Sequence, residues 1–498
     1  MRANRLRPVS KAFLLVSIAL AITSCGDDTD ETAPGSAQPE TESTAELTAE
    51  PTTSDETTSA PESATAEQTS TGHICPHVPN VVLVENPNGE PLNLRGNLEA
   101  REPGELTDLL GYEDFPDEFD VDAALGELLE GNQITAYEVT DGSDSLDNAL
   151  QIELENPDVA GLVAAPLLLL TLTGHWTLAP ADLPTAASQD GNEPPQPFDS
   201  QATVAVVDTG YTDGDEEFQW LDDRVDGVDS AFDAERVNIT PNVAGHGKFV
   251  ASVITQEAPN VAVRVARLAE IEPAVAPPNE PTVFTTDELQ LYIAIRRLLQ
   301  LDIGYSALNL SLGSYACEGL GDPVDNSGLA IRKAVELWSS ALPEAPIFAA
   351  AGNHDPSDSA PLPPFLPAAY DSGPNDSINA VMSIDMAGNT SVFSNGADLG
   401  ALGERLIGVG LSSGSVDADD DGWIYWSGSS FATALLTARA VRDGGVSAGT
   451  LLTAPDYVLA ETPTSTSTTP SNTAGSSTPG TAATTTRPPT SPTTTTLG

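Results

Sequence analysis

The chain has 498 residues, of which 74 are acidic and 19 are basic, and its formal net charge is −55. So acidic a balance excludes nucleic acid as a partner, because phosphate binding needs a basic surface. Several stretches carry almost no large apolar residue, so the folded part is smaller than the chain. Adaptation of the acidic surface to salt is a hypothesis that rests on composition alone.

The first 25 residues have the features of an export signal. Basic residues precede an apolar run at 12–22, which is too short to span a membrane comfortably, and Cys25 follows it. The segment resembles a bacterial lipoprotein signal. The resemblance implies that Cys25 is lipidated and that the protein is anchored to the outer face of the cell membrane. The alternative is an ordinary cleaved signal with a chance cysteine, and therefore an extracellular protein.

Composition divides the remainder of the chain into four parts. Residues 26–72 form an acidic linker rich in Thr, Ser and Pro, which has almost nothing to bury. Residues 459–498 form a similar disordered tail without a hydrophobic anchor. Between these segments we predict two folded domains, at 73–195 and 196–458.

The first folded domain has a mixed pattern of strands and helices. Its predicted strands lie at 81–84 and 134–139, its predicted helices at 123–129 and 146–154, and a further strand pattern at 157–164 follows. This order predicts a small α+β domain.

Two cysteines remain after Cys25. Outside the cytoplasm thiols tend to pair, so Cys75 and Cys317 are a candidate disulfide between the two domains, although separate thiols fit the sequence equally well. His73 and His77 flank Cys75 as in part of a metal site, but no second ligand cluster stands at suitable spacing.

The second domain alternates apolar strands with amphipathic helices. This alternation predicts an α/β fold, with a mostly parallel, doubly wound sheet covered by helices on both faces. Predicted strands are 203–207, 261–265, 307–312, 346–350 and 380–384, and predicted helices are 247–254, 287–299, 329–338 and 430–441. A sheet of this kind binds ligands at the carboxyl ends of its strands.

Three side chains with complementary chemistry occur in this domain. Asp208 ends an apolar strand, and His246 lies between two glycines at the start of a helix. Ser430 also begins a helix, where unpaired amides favour developing negative charge. Each residue alone is more often structural. Together they predict an acid, a base and a nucleophile.

Short motifs surround these residues in a fixed order. They are Val-Val-Asp-Thr-Gly at 206–210, Gly-His-Gly at 245–247, Asn-Leu-Ser-Leu-Gly at 309–313, Ala-Ala-Gly-Asn at 350–353 and Gly-Ser-Ser-Phe-Ala at 428–432. This series resembles the subtilases, the subtilisin-like serine peptidases, over roughly residues 200 to 445.

The resemblance implies an exported serine endopeptidase that hydrolyses proteins or peptides through an acyl-enzyme and requires no cofactor. Asp208, His246 and Ser430 would form the triad, and Asn353 would stabilise the oxyanion. The residues implied in substrate binding are Ser311, Leu312, Gly313, Ser314, Ala350, Ala351 and Gly352.

By the same resemblance the domain at 73–195 is similar to a subtilase propeptide, and the chain to a zymogen. An independent surface domain is the alternative. Lys248 and Ala434 depart from the family pattern, which usually has Thr and Pro there, and Ser314 replaces a glycine. Because of these departures, the alternative function is that of a catalytically silent surface protein that binds peptides. A nucleotide-binding protein is disfavoured, because no Gly-rich phosphate loop is present.

An acidic stretch suggests one further site. Asp417, Asp419 and Asp421 match the first half of a calcium-binding loop, but Gly428 stands where the closing Glu belongs. The stretch therefore fits two interpretations, a site for a structural calcium ion and a solvated hairpin turn.

Overall fold

The computed structural model describes residues 75–112, 119–172, 185–186, 200–211, 216–227, 245–268, 285–320, 323–354, 361–372, 378–411, 421–447 and 449–455. All of these lie in one compact unit that begins at Ser70. The export signal with Cys25, the linker and the tail lie outside the described residues. Within them, no helix combines the length and apolar character needed to cross a membrane.

The amino-terminal part is an antiparallel sheet with helices beside it. Its strands are β1 His77–Glu85, β2 Leu98–Arg101, β3 Ile134–Val139 and β4 Val163–Thr171, and its helices are α1 Pro103–Leu110, α2 Val121–Gly131 and α3 Ser145–Glu155. The strand order is β2-β3-β1-β4. On one face Ala149 and Ile152 of α3 pack against Val82 and Val84 of β1.

The strand expected at 157–164 is wrong in its position. The chain turns after Pro157, and Gly161 has a φ of 75°, in the left-handed region that glycine tolerates best. Strand β4 begins only at Val163, where the continuous apolar run starts, and it extends to Thr171. Its last residues reach the second domain, where Thr171 pairs with Gly313.

The second domain is built on one parallel sheet, formed by β6 Ala202–Asp208, β7 Val225–Gly227, β8 Val261–Arg267, β10 Ala307–Leu310, β11 Ile347–Ala350, β12 Ile378–Ile384, β13 Leu399–Leu402 and β16 Leu451–Leu452. Strand β9 Thr285–Asp287 pairs with β4 instead. Strands β14 Leu406–Leu411 and β15 Asp421–Trp426 form a separate antiparallel sheet with β5 Thr185–Ala186, which precedes this domain in the sequence. The helices of the second domain are α4 Gln219–Asp222, α5 His246–Glu257, α6 Glu288–Gln300, α7 Pro323–Asn326, α8 Leu329–Ala341 and α9 Ser429–Asp443. The central order is β16-β13-β12-β11-β10-β6-β8-β7, with every neighbouring pair parallel, and it confirms the predicted fold class.

Alternate side chains of β6 reach opposite faces of this sheet. Val204 and Val206 belong to the core that α5 and α9 cover, whereas Ala205 and Val207 belong to the core that α6 and α8 cover. A strand buried on both faces reads as an unbroken apolar run, which is why the sequence indicated it clearly.

The amino-terminal sheet and the second domain share one core. Leu83, Leu128 and Leu167 of the former lie in the same buried cluster as Ile293 of α6 and Ile331 of α8. Strand β4 also pairs with β9, so the antiparallel sheet continues into the second domain. The two parts are therefore joined by packing and by backbone hydrogen bonds.

Candidate active site

Asp208 is the last residue of β6, and its side chain is fully buried. The backbone amide of Thr209 donates to Asp208 Oδ1 at 2.7 Å. The Thr209 hydroxyl in turn accepts from the amide of Gly247 at 2.9 Å. These contacts hold the carboxylate at the carboxyl end of the sheet and tie it to the first turn of α5.

His246 is the first residue of α5 and is 1% exposed. Its Nδ1 lies 2.8 Å from Asp208 Oδ1 and 3.0 Å from Asp208 Oδ2. An ionised carboxylate only accepts, so it favours the tautomer with the proton on Nδ1 and leaves Nε2 as a base. A β-carbon on Gly247 would lie 2.5 Å from the carbonyl oxygen of Gly210, so glycine permits this close approach.

Aromatic rings enclose the imidazole. The Trp426 ring lies edge-on to it with centroids 5.4 Å apart, and the Phe431 ring lies 5.1 Å away. Phe249 packs against both rings. Such surroundings keep water away from the Asp–His pair and strengthen its electrostatic interaction. No pattern in the sequence predicted this enclosure.

Ser430 is the second residue of α9, and it is 3% exposed. It lines a small pocket together with His246 and Asn353. Its Oγ lies within hydrogen-bond distance of two backbone carbonyls, Ser311 O at 3.0 Å and Leu172 O at 3.3 Å. Among the described residues the Ser430 hydroxyl has no hydrogen bond to His246. Transfer of its proton to the imidazole therefore needs a rotation of the hydroxyl or of χ1.

Asn353 and Ser311 hold the start of α9 in place. Asn353 Oδ1 accepts from the amide of Ser429 at 2.9 Å, which leaves the side-chain NH₂ group as a donor in the same pocket. The Ser311 hydroxyl donates to the carbonyl of Ser430 at 2.9 Å and lies 2.8 Å from Asn309 Oδ1. Ser311, which the sequence placed in substrate binding, thus also positions the nucleophile candidate.

The other residues implied in substrate binding lie at this end of the sheet, but several have partners within the chain. Gly313 pairs with Thr171, and Ser314 pairs with Leu366. The carbonyl of Ala351 accepts from Phe365 N at 2.9 Å and from the side chain of Asn395 at 3.0 Å. The remaining residues of this group, all buried or glycine, are Leu312, Ala350 and Gly352.

Leu172 is another residue of the site that the sequence did not predict. It follows β4, lines the pocket and brings its carbonyl to Ser430. The only sequence signal is the apolar run that ends there, and such a run does not reveal which domain it meets.

Lys248, which departs from the family pattern beside His246, has an aromatic neighbour. Its Nζ lies 5.4 Å from the centre of the Tyr211 ring, a cation–π distance, and the side chain is buried. Ala434 is buried inside α9. Neither departure from the family pattern removes a group of the candidate triad.

The other chemical candidates are located as follows. Cys75 and Cys317 form a disulfide across the two domains. Cys25, His73, Asp417 and Asp419 lie outside the described residues. Asp421 is the first residue of β15, and the structure describes its backbone but not its side chain. In the part of the chain that the structure describes, no cluster of His, Cys, Asp or Glu is suited to hold a metal ion.

A buried Asp–His pair beside a serine at a helix start, all at the carboxyl end of a parallel sheet, is the arrangement of a serine peptidase. Residues 199–442, slightly less than half of the chain, match the subtilase family of peptidases. The matched range includes the elements that hold Asp208, His246 and Ser430. No match is found among curated proteins.

Solved structures of subtilisin-like peptidases are similar to the chain at low identity. A cold-adapted subtilisin-like serine proteinase is 23% identical, with 54% of this chain and 84% of that chain covered and a TM-score of 0.33. MycP1 from Mycobacterium smegmatis is 20% identical, with coverages of 55% and 86% and a TM-score of 0.33. The epidermin leader peptide processing protease EpiP from Staphylococcus aureus is 15% identical, with coverages of 73% and 87% and a TM-score of 0.38.

Proposed function

We propose that the protein is an exported serine endopeptidase with a triad of Asp208, His246 and Ser430. The observation that supports this most directly is the buried hydrogen bond between Asp208 and His246 Nδ1, in a pocket that Ser430 also lines. His246 Nε2 takes the hydroxyl proton of Ser430, and Oγ attacks a peptide carbonyl. Asn353 and the Ser430 amide stabilise the oxyanion until water releases the acyl group.

Labelling by a fluorophosphonate tests this function, because the reagent needs an activated serine. The purified chain, freed of its amino-terminal part, should be labelled, and Ser430→Ala should abolish the label and lower peptide hydrolysis about 10⁶-fold. The neighbouring Ser429 is the matched control, since its buried hydroxyl has no hydrogen-bond partner among the residues that the structure describes. Ser429→Ala should keep the label. A label that survives Ser430→Ala would show that another residue is the nucleophile.

The second candidate function is a catalytically silent protein that binds peptides. It is supported by the Ser430 hydroxyl, which lies against two carbonyls rather than against His246. Such a protein would bind extended peptides along Gly313 without reacting with the fluorophosphonate. Peptide binding measured by fluorescence anisotropy, without any labelling, would favour this function over the peptidase.

We also propose a lipid anchor at Cys25 and, at 73–195, a propeptide-like domain that makes the chain a zymogen. The buried Cys75–Cys317 disulfide is consistent with export, since disulfides persist in oxidising compartments. Fractionation should place the protein in the membrane fraction, and Cys25→Ser should move it to the soluble fraction. If Cys25→Ser stays in the membrane fraction, the lipid anchor is wrong.

A structural calcium ion at Asp417, Asp419 and Asp421 remains a proposal that rests on the sequence motif. Chelation should then lower the melting temperature of the wild type but not that of Asp419→Asn. An equal melting temperature with and without chelator would remove the calcium site.

A further inference from the structure

A second buried histidine directly follows the oxyanion candidate Asn353. His354 is 2% exposed, and the proposed mechanism gives it no role. Its Nδ1 lies 3.0 Å from Oδ1 of Asn395, a residue with 0% exposure. An amide oxygen only accepts, so Nδ1 carries the proton in this hydrogen bond. The imidazole therefore fixes the direction in which the side-chain oxygen of Asn395 points.

Asn395 in turn holds the two residues that precede Asn353. With its oxygen towards the imidazole, its NH₂ group donates to Ala351 O at 3.0 Å. Its backbone amide donates to Gly352 O, also at 3.0 Å. Gly352 has a φ of 93°, and a glycine gives the backbone more conformational freedom than any other residue. The course of the chain into Asn353 therefore depends on contacts of this kind.

The backbone around Asn353 continues the same pairing. Asn353 pairs antiparallel with Ser394, and His354 N donates to Phe393 O at 2.7 Å. Ser394 is attached to strand β12, because its hydroxyl accepts from Ser383 N at 2.9 Å. The segment 393–395 is thus a support for the oxyanion candidate that is anchored in the central sheet.

The aim of the Asn353 side chain depends on this support. Its Oδ1 accepts from Ser429 N at 2.9 Å, and its NH₂ group is the donor proposed for the oxyanion. Such a donor acts at about 2.7–3.1 Å from the developing charge. A misplacement of about 1 Å in a catalytic site can cost about 10²-fold in rate. Small movements of the backbone that carries Asn353 should therefore be visible in kcat.

We propose that His354 is a positioning residue of the oxyanion site. Its imidazole fixes the Asn395 amide, Asn395 holds Ala351 and Gly352, and these two residues set the position of Asn353. His354 does not contact the substrate, so it acts on the rate through Asn353 and not on substrate binding. The inference rests on the proposed peptidase function.

Truncation of the ring breaks this series of contacts at its first member. In His354→Ala the buried Oδ1 of Asn395 loses the donor that it has in the wild type. A buried amide oxygen without a partner is unfavourable, so the Asn395 side chain should reorient and release Ala351. In His354→Asn a side-chain NH₂ group can take the place of the Nδ1 donor, so this conservative variant should retain most of the rate.

The experiment makes each substitution in the full chain and assays the purified form that reacts with the fluorophosphonate. Steady-state hydrolysis of a fluorogenic peptide gives kcat and KM for the wild type, His354→Ala, His354→Asn, Asn353→Ala and the His354→Ala, Asn353→Ala double variant. Asn379→Ala is the matched control. Asn379 Nδ2 donates to Ile347 O at 3.1 Å, at the other end of the strand β11 that leads to Ala351. Thermal unfolding of each variant measures any general loss of stability.

The kinetic pattern separates positioning from a merely structural role. His354→Ala should lower kcat about 10–100-fold with KM within about twofold of the wild type. His354→Asn should keep kcat within about threefold of the wild type, and Asn379→Ala should leave it unchanged. In the Asn353→Ala protein, loss of the His354 ring should lower kcat by less than about threefold, because both changes remove the same interaction. If His354→Ala does not fold, Asn395→Ala breaks the series at its second member and should give the same pattern.

Four results would overturn the inference. His354→Ala could keep the kcat of a wild type that is labelled, or raise KM alone, and the peptidase function would then stand without this role. An equal loss of kcat with and without the Asn353 side chain would show that His354 acts independently of the oxyanion donor. An equal loss in Asn379→Ala would trace the effect to general destabilisation of β11. A wild type that never reacts with the fluorophosphonate would refute both the inference and the peptidase function.

Discussion

Glu288 connects the amino-terminal domain to the second domain and makes their association sensitive to pH. It is the first residue of α6 and is fully buried, and its carboxylate accepts from Leu168 N at 2.9 Å, Ala330 N at 2.8 Å and Ile331 N at 3.2 Å. Burial raises the pKa of Glu288 to about 7, against the opposing effect of these three amides. The adjacent Asp287 is also buried, and its pKa rises to about 6.

The direction of the pH effect follows from these values. A carboxyl whose pKa is raised on folding stabilises the folded form fully below its unfolded value, 4.5 for Glu288, and this stabilisation is lost as pH rises through about 7. Each pKa unit corresponds to about 1.4 kcal/mol, so Glu288 alone accounts for a loss of up to about 3 kcal/mol between pH 4.5 and pH 7. For a domain of this size that loss lowers the melting temperature by roughly 5 °C.

Calorimetry at pH 5 and pH 8 measures this effect on the Ser430→Ala protein, which lacks the proposed nucleophile. Glu288→Gln cannot ionise, so the difference in melting temperature between the two pH values should become about 5 °C smaller. Glu127→Gln is the matched control, because Glu127 lies at the same interface in a partly exposed ion pair with Arg296 and should leave the difference unchanged. Equal pH differences in the Glu288→Gln and parent proteins would refute the argument.

Three other predictions concern the site. Asp208→Asn should lower kcat about 10⁴-fold, because the imidazole loses its partner. Asp226→Asn, which changes an exposed side chain of β7, should leave peptide hydrolysis unchanged. A loss below tenfold in Asp208→Asn would speak against the triad. Gly247→Ala should lower the free energy of unfolding in urea by about 1–3 kcal/mol, because the new β-carbon would lie 2.5 Å from the carbonyl oxygen of Gly210. Gly126→Ala should leave it unchanged, because its β-carbon would lie 3.8 Å from Pro103, an ordinary contact distance. Asn353→Ala should reduce kcat about 10²–10³-fold in steady-state assays with KM nearly constant, and an unchanged kcat would contradict the oxyanion role.

The sequence predicted the parallel sheet well because its strands are buried on both faces. Residues 204–207 have no polar member, and neither does Ile347–Ala350. Such runs have few alternative structures when helices with a clear apolar face lie between them. Asp208 and His246 could be located for a related reason, since each adjoins an element boundary that glycines mark. The distance of 2.8 Å between His246 Nδ1 and Asp208 Oδ1 depends on how α5 packs on β6, and no local sequence pattern specifies that packing.

The strand β4 was misplaced because its partners are distant in sequence. Pro157 to Gly161 resemble a strand by composition, but the left-handed φ of Gly161 makes them a turn. The true strand ends against Gly313, more than a hundred residues away, and sheet pairing over such separations leaves no periodic signal in either segment. For the same reason the enclosure of His246 by Trp426 and Phe431 was not apparent.

The same long-range pairing explains why the state of Ser430 differs from what its motif suggests. A serine at the start of a helix exposes its oxygen to solvent or substrate, yet here the hydroxyl meets the carbonyl of Leu172. The cleft that would receive a peptide is filled by a strand of the same chain, held by Gly313 and β9 and anchored nearby by Cys75–Cys317. Because that strand belongs to a sheet whose core continues into α6 and α8, the cleft opens only if a large buried apolar surface separates. If the proposed peptidase function holds, activity toward other peptides should therefore depend on the stability of this interface, to which the buried Glu288 and the disulfide both contribute.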